Sequence, residues 1–337
     1  MRSSQPDGAP ELEGHVFSPK RVKFLLEELG ASPRKSFGQN FLIDQNILKK
    51  EVEALEISNE DIVIEIGPGL GALTGFLLEK AGKVIGIEFD EKMVQYLKAS
   101  FEKFPSFEIL HADALQINFD DLMTRLMKEL SPAGRLKITG NLPYNISTQI
   151  LIKLLQGHVQ PERMLFAFQW EVAERLTAHS KTKDYGSLTL LIQFYTQAKK
   201  LFRIKKTCFY PQPDIDTGVL IFFFRDAGLG IGENEAENFL DFIRKSFSVR
   251  RKTLKNALTA VQAPGAARNL ISAVPSRDRE GGDSENRPLT NSGAFSYTGK
   301  AIDQALTVCH FNEKVRAEDL ELKDFAKLFH FLKQSKG

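Results

Sequence analysis

The feature that most constrains the fold is a set of closely spaced glycines at the end of an apolar run. Residues 62–66 read Ile-Val-Ile-Glu-Ile and lead into Gly67-Pro-Gly-Leu-Gly71, after which Ala72-Leu-Thr74 opens a stretch with helical spacing. A short β-branched run, a glycine turn and a helix make a strand–loop–helix unit. Glycines at 67, 69 and 71 permit a tight turn and let a ligand approach the backbone with no Cβ in the way. The spacing is G-x-G-x-G. It is not the G-x-G-x-x-G of a dinucleotide fold, and it lacks the Gly-Lys-Ser/Thr ending of a phosphate-cradling loop. A pyrophosphate ligand is disfavoured on both counts.

The same alternation continues along the chain. Residues 84–88, 107–111, 136–139 and 164–168 read as further strands, and 70–80, 91–104, 119–130 and 147–155 as the helices between and after them. Two more helix-like stretches, 171–178 and 187–195, precede β-rich runs at 201–204 and 218–225, one of which is expected to be antiparallel. The pattern predicts an α/β fold: a Rossmann-like, mostly parallel sheet of seven strands with helices on both faces. After residue 232 the character changes. Residues 233–258 and 317–334 are helical in pattern, whereas roughly 263–299 is rich in Gly, Pro, Ser, Asn, Asp and Arg and reads as a flexible insertion. The expected division is a disordered tail at 1–15, a main domain at 16–232 and a small helical domain at 233–337.

In such a sheet the carboxyl ends of the strands form the ligand crevice. The second strand ends at Glu88, about twenty residues past the glycines, where an acid can bind both ribose hydroxyls. The third is followed by Asp113, suited to accept a hydrogen bond from an adenine amine. Glycine loop, ribose acid and adenine acid on successive strand ends describe an adenosine-shaped ligand without phosphates, and S-adenosylmethionine fits that description.

At the end of the fourth strand stands Asn141-Leu-Pro-Tyr144. The N6 amine of adenine is a poor nucleophile because its lone pair is delocalised into the ring. The Asn141 side-chain oxygen and the Leu142 carbonyl can each accept one N6–H and favour a pyramidal nitrogen, a stabilisation concentrated on the transition state. Pro143 stiffens the loop and adds no competing donor. Tyr144 can stack on an extruded base. Neither a metal nor a dedicated strong base is required. A C5-directed enzyme would want a cysteine after a proline, and neither Cys208, after Thr207, nor Cys309, after Val308, qualifies.

Two cysteines are too few for a disulfide framework or a cysteine zinc cluster, which points to a reducing, cytoplasmic setting. Hydrophobic content of 42% and charged content of 26% are those of a soluble globular chain, and no apolar run is long enough to span a bilayer. A net charge of +2 does not announce a nucleic-acid binder, but the distribution is uneven. Lys199, Lys200, Arg203, Lys205 and Lys206 form one basic cluster, and Arg244, Lys245, Arg250, Arg251, Lys252 and Lys255 a second. Each could neutralise phosphates along a groove or simply be a solvated face.

Taken together, these motifs resemble the ribosomal RNA adenine dimethyltransferase family over about residues 34–258 and again from Arg316. Lys35-Ser-Phe-Gly-Gln-Asn-Phe-Leu-Ile-Asp44 is similar to the family's N-terminal motif, which implies cofactor contacts by Asn40 and Leu42. Residues 65–74, Glu88, His111-Ala-Asp113 and 141–144 match its cofactor and catalytic motifs in order and spacing. Gln169-x-Glu-Val-Ala-Glu-Arg175, Tyr185-Gly-Ser-Leu188 and Phe209-x-Pro-x-Pro213 match as well. The resemblance implies that Phe209 helps Tyr144 clamp the target adenine. Ser246-Phe-x-x-Arg-Arg-Lys-Thr-Leu254 resembles the start of the family's RNA-binding helical domain.

The implied substrate is a pair of adjacent adenines in the hairpin near the 3′ end of small-subunit RNA, each dimethylated at N6. The implied context is a partly assembled small subunit, with the chain acting as a monomer. Trp170 departs from the family pattern, standing where a lysine or arginine is usual: a phosphate contact is lost, or replaced by stacking on RNA, or the residue is simply a half-buried tryptophan. The alternatives are a large-subunit RNA methyltransferase of the erythromycin-resistance type, a mainly non-catalytic assembly factor, and a DNA adenine methyltransferase. The 250–254 run and the developed C-terminal domain favour the small-subunit type.

Overall fold

The computed structural model describes residues 18–31, 39–225, 228–249, 252–260 and 297–334. The expected tail at 1–15, residues 35–38 of the N-terminal motif, Arg250, Arg251 and nearly all of the 263–299 insertion lie outside the described residues.

The elements in chain order begin with α1 (Pro19–Glu28), β1 (Phe41–Leu42), α2 (Gln45–Ala54), β2 (Ile62–Ile66), α3 (Ala72–Leu78) and β3 (Lys83–Glu88). They continue with α4 (Glu91–Ser100), β4 (Phe107–His111), α5 (Phe119–Met127), β5 (Leu136–Gly140), α6 (Ser147–Leu155) and β6 (Arg163–Gln169). Next come α7 (Trp170–Leu176), α8 (Ser187–Tyr195), β7 (Thr196–Ile204), β8 (Phe209–Tyr210) and β9 (Thr217–Phe224). The chain closes with α9 (Glu233–Ser246), α10 (Leu254–Ala260), α11 (Gly299–Val308) and α12 (Leu322–Gln334).

Seven strands form one sheet in the order β4-β3-β2-β5-β6-β9-β7. The pairs from β4 through to β6 are parallel, and β9 runs antiparallel to β6, as expected of a strand near the end of such a sheet. The fold is that of a class I methyltransferase. Strands β2 and β5 are buried along their whole length, as a sheet covered by helices on both faces requires. The chain order reverses between β2 and β5, which opens a crevice beyond their carboxyl ends.

A buried charge pair joins β5 to the residue just before β2. Lys137 of β5 donates to Asp61 Oδ2 at 2.7 Å and to the Glu56 carbonyl at 2.6 Å, so the buried charge is met on the spot. Asp61 in turn accepts the backbone N–H groups of Ser58 and Arg135 at 2.8 Å each.

The chain divides into two compact units, one made of residues up to 173 with Gln197–Phe224, the other of Glu174–Thr196 with residues from 225 on. This differs from the expected boundary at 232, because α8 belongs with the helical unit. Its apolar face, with Leu190, Leu191, Phe194 and Tyr195, packs into a cluster built on Phe239, Phe242, Phe325 and Phe329. Within that unit the expected single helix over 233–258 is two helices. Thr253 Oγ1 accepts the Asn256 N–H at 3.4 Å and caps α10, and Leu254 donates to the Val315 carbonyl, so the chain turns after Phe247. The end of the expected flexible insertion is structured: Tyr297 is buried in the same cluster, Thr298 caps α11, and Gly299 begins it.

Candidate active site

The crevice at the β2–β5 switch holds a cavity of about 260 Å³. Its floor is the glycine loop. Gly67 and Gly69 adopt positive φ values of 72° and 57°, the left-handed backbone that favours glycine, and both line the cavity. A Cβ on Gly67 would meet nothing within 4 Å, so the open side of the turn is ligand space. Gly71 also has positive φ, 81°, but it does not line the cavity. A Cβ there would lie 2.7 Å from the Phe101 ring and 2.9 Å from Leu97. The expected role of Gly71 in ligand approach is therefore corrected: it is a packing glycine that lets the loop and α3 close onto α4.

Glu88 stands at the cavity wall with both carboxyl oxygens hydrogen-bonded to backbone N–H groups. Oε2 accepts the Gly69 N–H at 3.0 Å, and Oε1 accepts those of Phe89 and Asp90 at 2.9 Å each. Burial nevertheless raises its pKa above the ordinary carboxylate value. Asp113 lines the cavity while its Oδ1 accepts the Leu115 N–H at 2.8 Å, which fixes the turn that follows β4. Phe89, about half exposed, adds an apolar wall.

Across the cavity lie Asn40 and Leu42, brought there by the pairing of β1 with β8. Asn141 and Pro143 complete that side. Gly140 immediately precedes Asn141, and a Cβ on it would lie 2.3 Å from the Ile66 carbonyl, so only glycine lets β5 run this close to β2 before the motif begins.

The Leu142 side chain is buried, which leaves its backbone carbonyl, the group expected to act, to serve the site. Two expected participants are placed differently. Tyr144 is half-buried, outside the cavity lining, and its hydroxyl is hydrogen-bonded to Thr217 Oγ1 at 2.6 Å. Phe209, expected as its clamping partner, is buried at 5% exposure in an apolar cluster with Leu42, Leu48 and Val52. The β1–β8 pairing sets Phe209 directly opposite Leu42, so its ring belongs to the core and not to the cavity wall.

Two buried carboxyls at or beside the site carry no role assigned from sequence. Glu65 lines the cavity and is buried, with Oε2 accepting the Thr74 hydroxyl at 2.6 Å. Glu51 of α2 is buried, and its Oε2 accepts Asn141 Nδ2–H at 3.3 Å. Burial, with a neighbouring carboxylate adding to it, pushes each up to about 8. The sequence does carry a signal for both: Glu65 interrupts an apolar strand, and Glu51 falls on the Leu48–Val52–Leu55 face of a helix.

Among the described residues the lining includes Glu65, Glu88, Asp90 and Asp113 but no Lys, Arg or His. Such a wall repels phosphates and receives a cation. The residues fit S-adenosylmethionine: a glycine floor, acids suited to ribose hydroxyls and an amine, apolar walls, and an anionic lining for a sulfonium and an ammonium.

The basic residues expected to bind RNA are partly spoken for. Arg244 and Lys245 reach Asp241 at 3.7 and 2.7 Å, and Lys255 reaches Asp303 at 2.6 Å. Lys252 is exposed. In the other cluster, Arg203 Cζ and Lys200 Nζ lie 4.4 and 4.8 Å from the centre of the Trp170 ring. A Cβ on Gly218 would meet the same ring at 3.4 Å. The indole is thus stacked on this chain's own cations and packed over a glycine.

A model of the ribosomal RNA adenine dimethylase family matches residues 30–279. The chain is 39% identical over 317 residues to a ribosomal RNA small subunit methyltransferase A of Listeria monocytogenes, covering 94% of this chain and 96% of the relative. The counterpart in Geobacillus kaustophilus is 35% identical over 317 residues, covering 94% and 97%. Among solved structures, a dimethyladenosine transferase from Plasmodium falciparum aligns with a TM-score of 0.64 at 25% identity, over 87% of this chain and 97% of that one. The 23S rRNA methyltransferase ErmE aligns with a TM-score of 0.59 at 20% identity, over 87% and 100%, a likeness of fold alone.

Proposed function

The chain belongs to the ribosomal RNA adenine dimethylase family and is an rRNA adenine dimethyltransferase; from that premise we propose how its own residues carry the reaction and on which RNA. The substrate is the small-subunit rRNA, at two adjacent adenines of the 3′-terminal hairpin, each taken to N6,N6-dimethyladenosine within a partly assembled small subunit. The names of the relatives support the small-subunit assignment over the large-subunit one. The observation that carries the cofactor assignment is the lining of the cavity by Glu65, Glu88, Asp90 and Asp113 around the glycine loop, which suits a cationic adenosine derivative.

When bound, S-adenosylmethionine supplies an electrophilic methyl on a sulfonium. Gly67 and Gly69 offer an open backbone floor, Glu88 is placed for the ribose, and Asp113 is placed for the adenine amine. Asn40 and Leu42 close the opposite side. Asn141 Oδ1 and the Leu142 carbonyl each accept one N6–H of the target adenine, drawing its lone pair out of conjugation and towards the methyl. Pro143 keeps that pair of acceptors rigid. Tyr144, held by Thr217, is the aromatic nearest in sequence to this pair and is the base-stacking candidate.

We propose a monomer as the working unit. No helix among the described residues is long and apolar enough to cross a membrane; action on ribosomal RNA is the reason to place the enzyme in the cytoplasm. For RNA docking, exposed Lys252 is the described residue best placed to meet phosphate, with Arg244, Lys245 and Lys255 sharing their charge with Asp241 and Asp303. The test is Asn141→Ala: methyl transfer should be abolished while small-subunit binding is kept, and transfer at a near-normal rate would contradict the role given to Asn141.

A further inference from the structure

Glu51 is fully buried on α2, on the face that Leu48, Val52 and Leu55 make apolar. Oε2 accepts Asn141 Nδ2–H at 3.3 Å, while Oε1 has no hydrogen-bond partner among the described residues. The nearest titratable group acting on it is Glu65 of β2, which is itself influenced by Glu88 of β3. A carboxyl so placed is a cost to folding, and a leucine would suit that face of the helix better. Its one described hydrogen bond runs to the asparagine of the site.

We infer that Glu51 is a positioning residue: by accepting Asn141 Nδ2–H it keeps Asn141 Oδ1 turned towards the cavity, where the target amine is received. The inference rests on the methyltransferase reading of Asn141. A side-chain amide has two orientations of nearly equal shape, one presenting an acceptor and the other a donor. The N6 amine of adenine offers hydrogens, so the donor orientation opposes it and the acceptor orientation engages it. Towards Nδ2–H, Glu51 acts as an acceptor whether protonated or ionised, so the bond selects the useful orientation in both states. Burial pushes the Glu51 pKa up to about 8, which marks how little else in its surroundings compensates a charge there.

The experiment compares Glu51→Leu and Glu51→Gln with the parent in full-length protein. Single-turnover transfer of labelled methyl to small subunits lacking the modification is measured beside thermal melting and calorimetric binding of S-adenosylmethionine. Glu51→Leu should melt at or above the parent, bind the methyl donor within about threefold, and lose at least about tenfold in transfer rate. Glu51→Gln retains an acceptor and should stay within about threefold. In the cofactor-free protein, the side-chain amide protons of Asn141 should exchange at least about fivefold faster in Glu51→Leu. Transfer by Glu51→Leu within threefold of the parent overturns the inference. So does an equal loss in Glu51→Gln, and so does a loss that comes with a lowered melting temperature, which would make Glu51 structural. Normal transfer by Asn141→Ala would instead bring down the reading of the site beneath it.

Discussion

The Glu88 carboxyl accepts the backbone N–H of Gly69 at 3.0 Å, so the acid that ends β3 also clasps the glycine loop that follows β2. Two strand ends carrying different halves of one ligand site are thereby held in register. With Oε1 taken by Phe89 and Asp90, the same carboxyl fixes the entry into α4. Glu88→Ala removes the acid proposed to bind the ribose hydroxyls and releases three N–H groups at once. Hydrogen bonds to charged groups contribute about 1.5–3 kcal/mol each, so affinity for S-adenosylmethionine should fall by at least about tenfold in calorimetric titration. An unchanged affinity would show that the clasp and the acid are both dispensable.

The glycines of the loop should separate in their effects. Gly71→Ala forces a Cβ into the Phe101 ring at positive φ, and should cost about 2–4 kcal/mol in urea unfolding through strain and overpacking. Gly67→Ala meets no atom within 4 Å, so its stability cost should be confined to the backbone, about 1 kcal/mol, while its Cβ projects into ligand space and weakens cofactor binding. Stability losses of equal size, with equal losses in affinity, would contradict this division of labour.

The buried carboxyls make stability depend on pH with a definite sign. Glu51 and Glu65 are ordinarily near 4.5 and are pushed to about 8, chiefly by burial. A group raised in the folded state contributes stability that is whole below its unfolded value and is lost as pH climbs through the folded one. The window runs from about 4.5 to about 8. The melting temperature of Glu51→Leu, taken relative to the parent, should therefore be higher at about pH 8.5 than at about pH 5. A difference that does not vary with pH would show that Glu51 titrates normally.

Breaking the charge pair under the sheet is a test of the fold rather than the site. Lys137 and Asp61 are each only 3% exposed, so Lys137→Met strands a buried carboxylate. The expected loss is about 3–5 kcal/mol in denaturant unfolding. A loss under about 1 kcal/mol would mean that Asp61 finds another partner or takes up a proton.

What the sequence made legible was local. The G-x-G-x-G turn, the acids at strand ends and the Asn141–Tyr144 segment are each readable from a few adjacent residues, and the β2–β5 switch then gathers them. What escaped it was nonlocal. The β1–β8 pairing joins residues more than 160 positions apart and turns Phe209, read as a clamp by resemblance, into a core residue beside Leu42. Phe209→Ala should accordingly cost about 3–5 kcal/mol of stability. Glu51 reaches Asn141 across 90 positions, and nothing in a linear motif marks that contact. The glycines look alike in sequence, yet only the atoms around Gly71 reveal that it serves Phe101 and not a ligand. Charge runs are similarly ambiguous, because Asp241 and Asp303 answer several of the basic residues from within the fold.

The most direct measurement is to give unmodified small and large ribosomal subunits to the enzyme with labelled S-adenosylmethionine and map the product base by base. The account predicts N6,N6-dimethyladenosine at two adjacent adenines near the 3′ end of small-subunit RNA, and none after Asn141→Ala. Product confined to the large subunit, or methylation that survives the loss of Asn141, would contradict it.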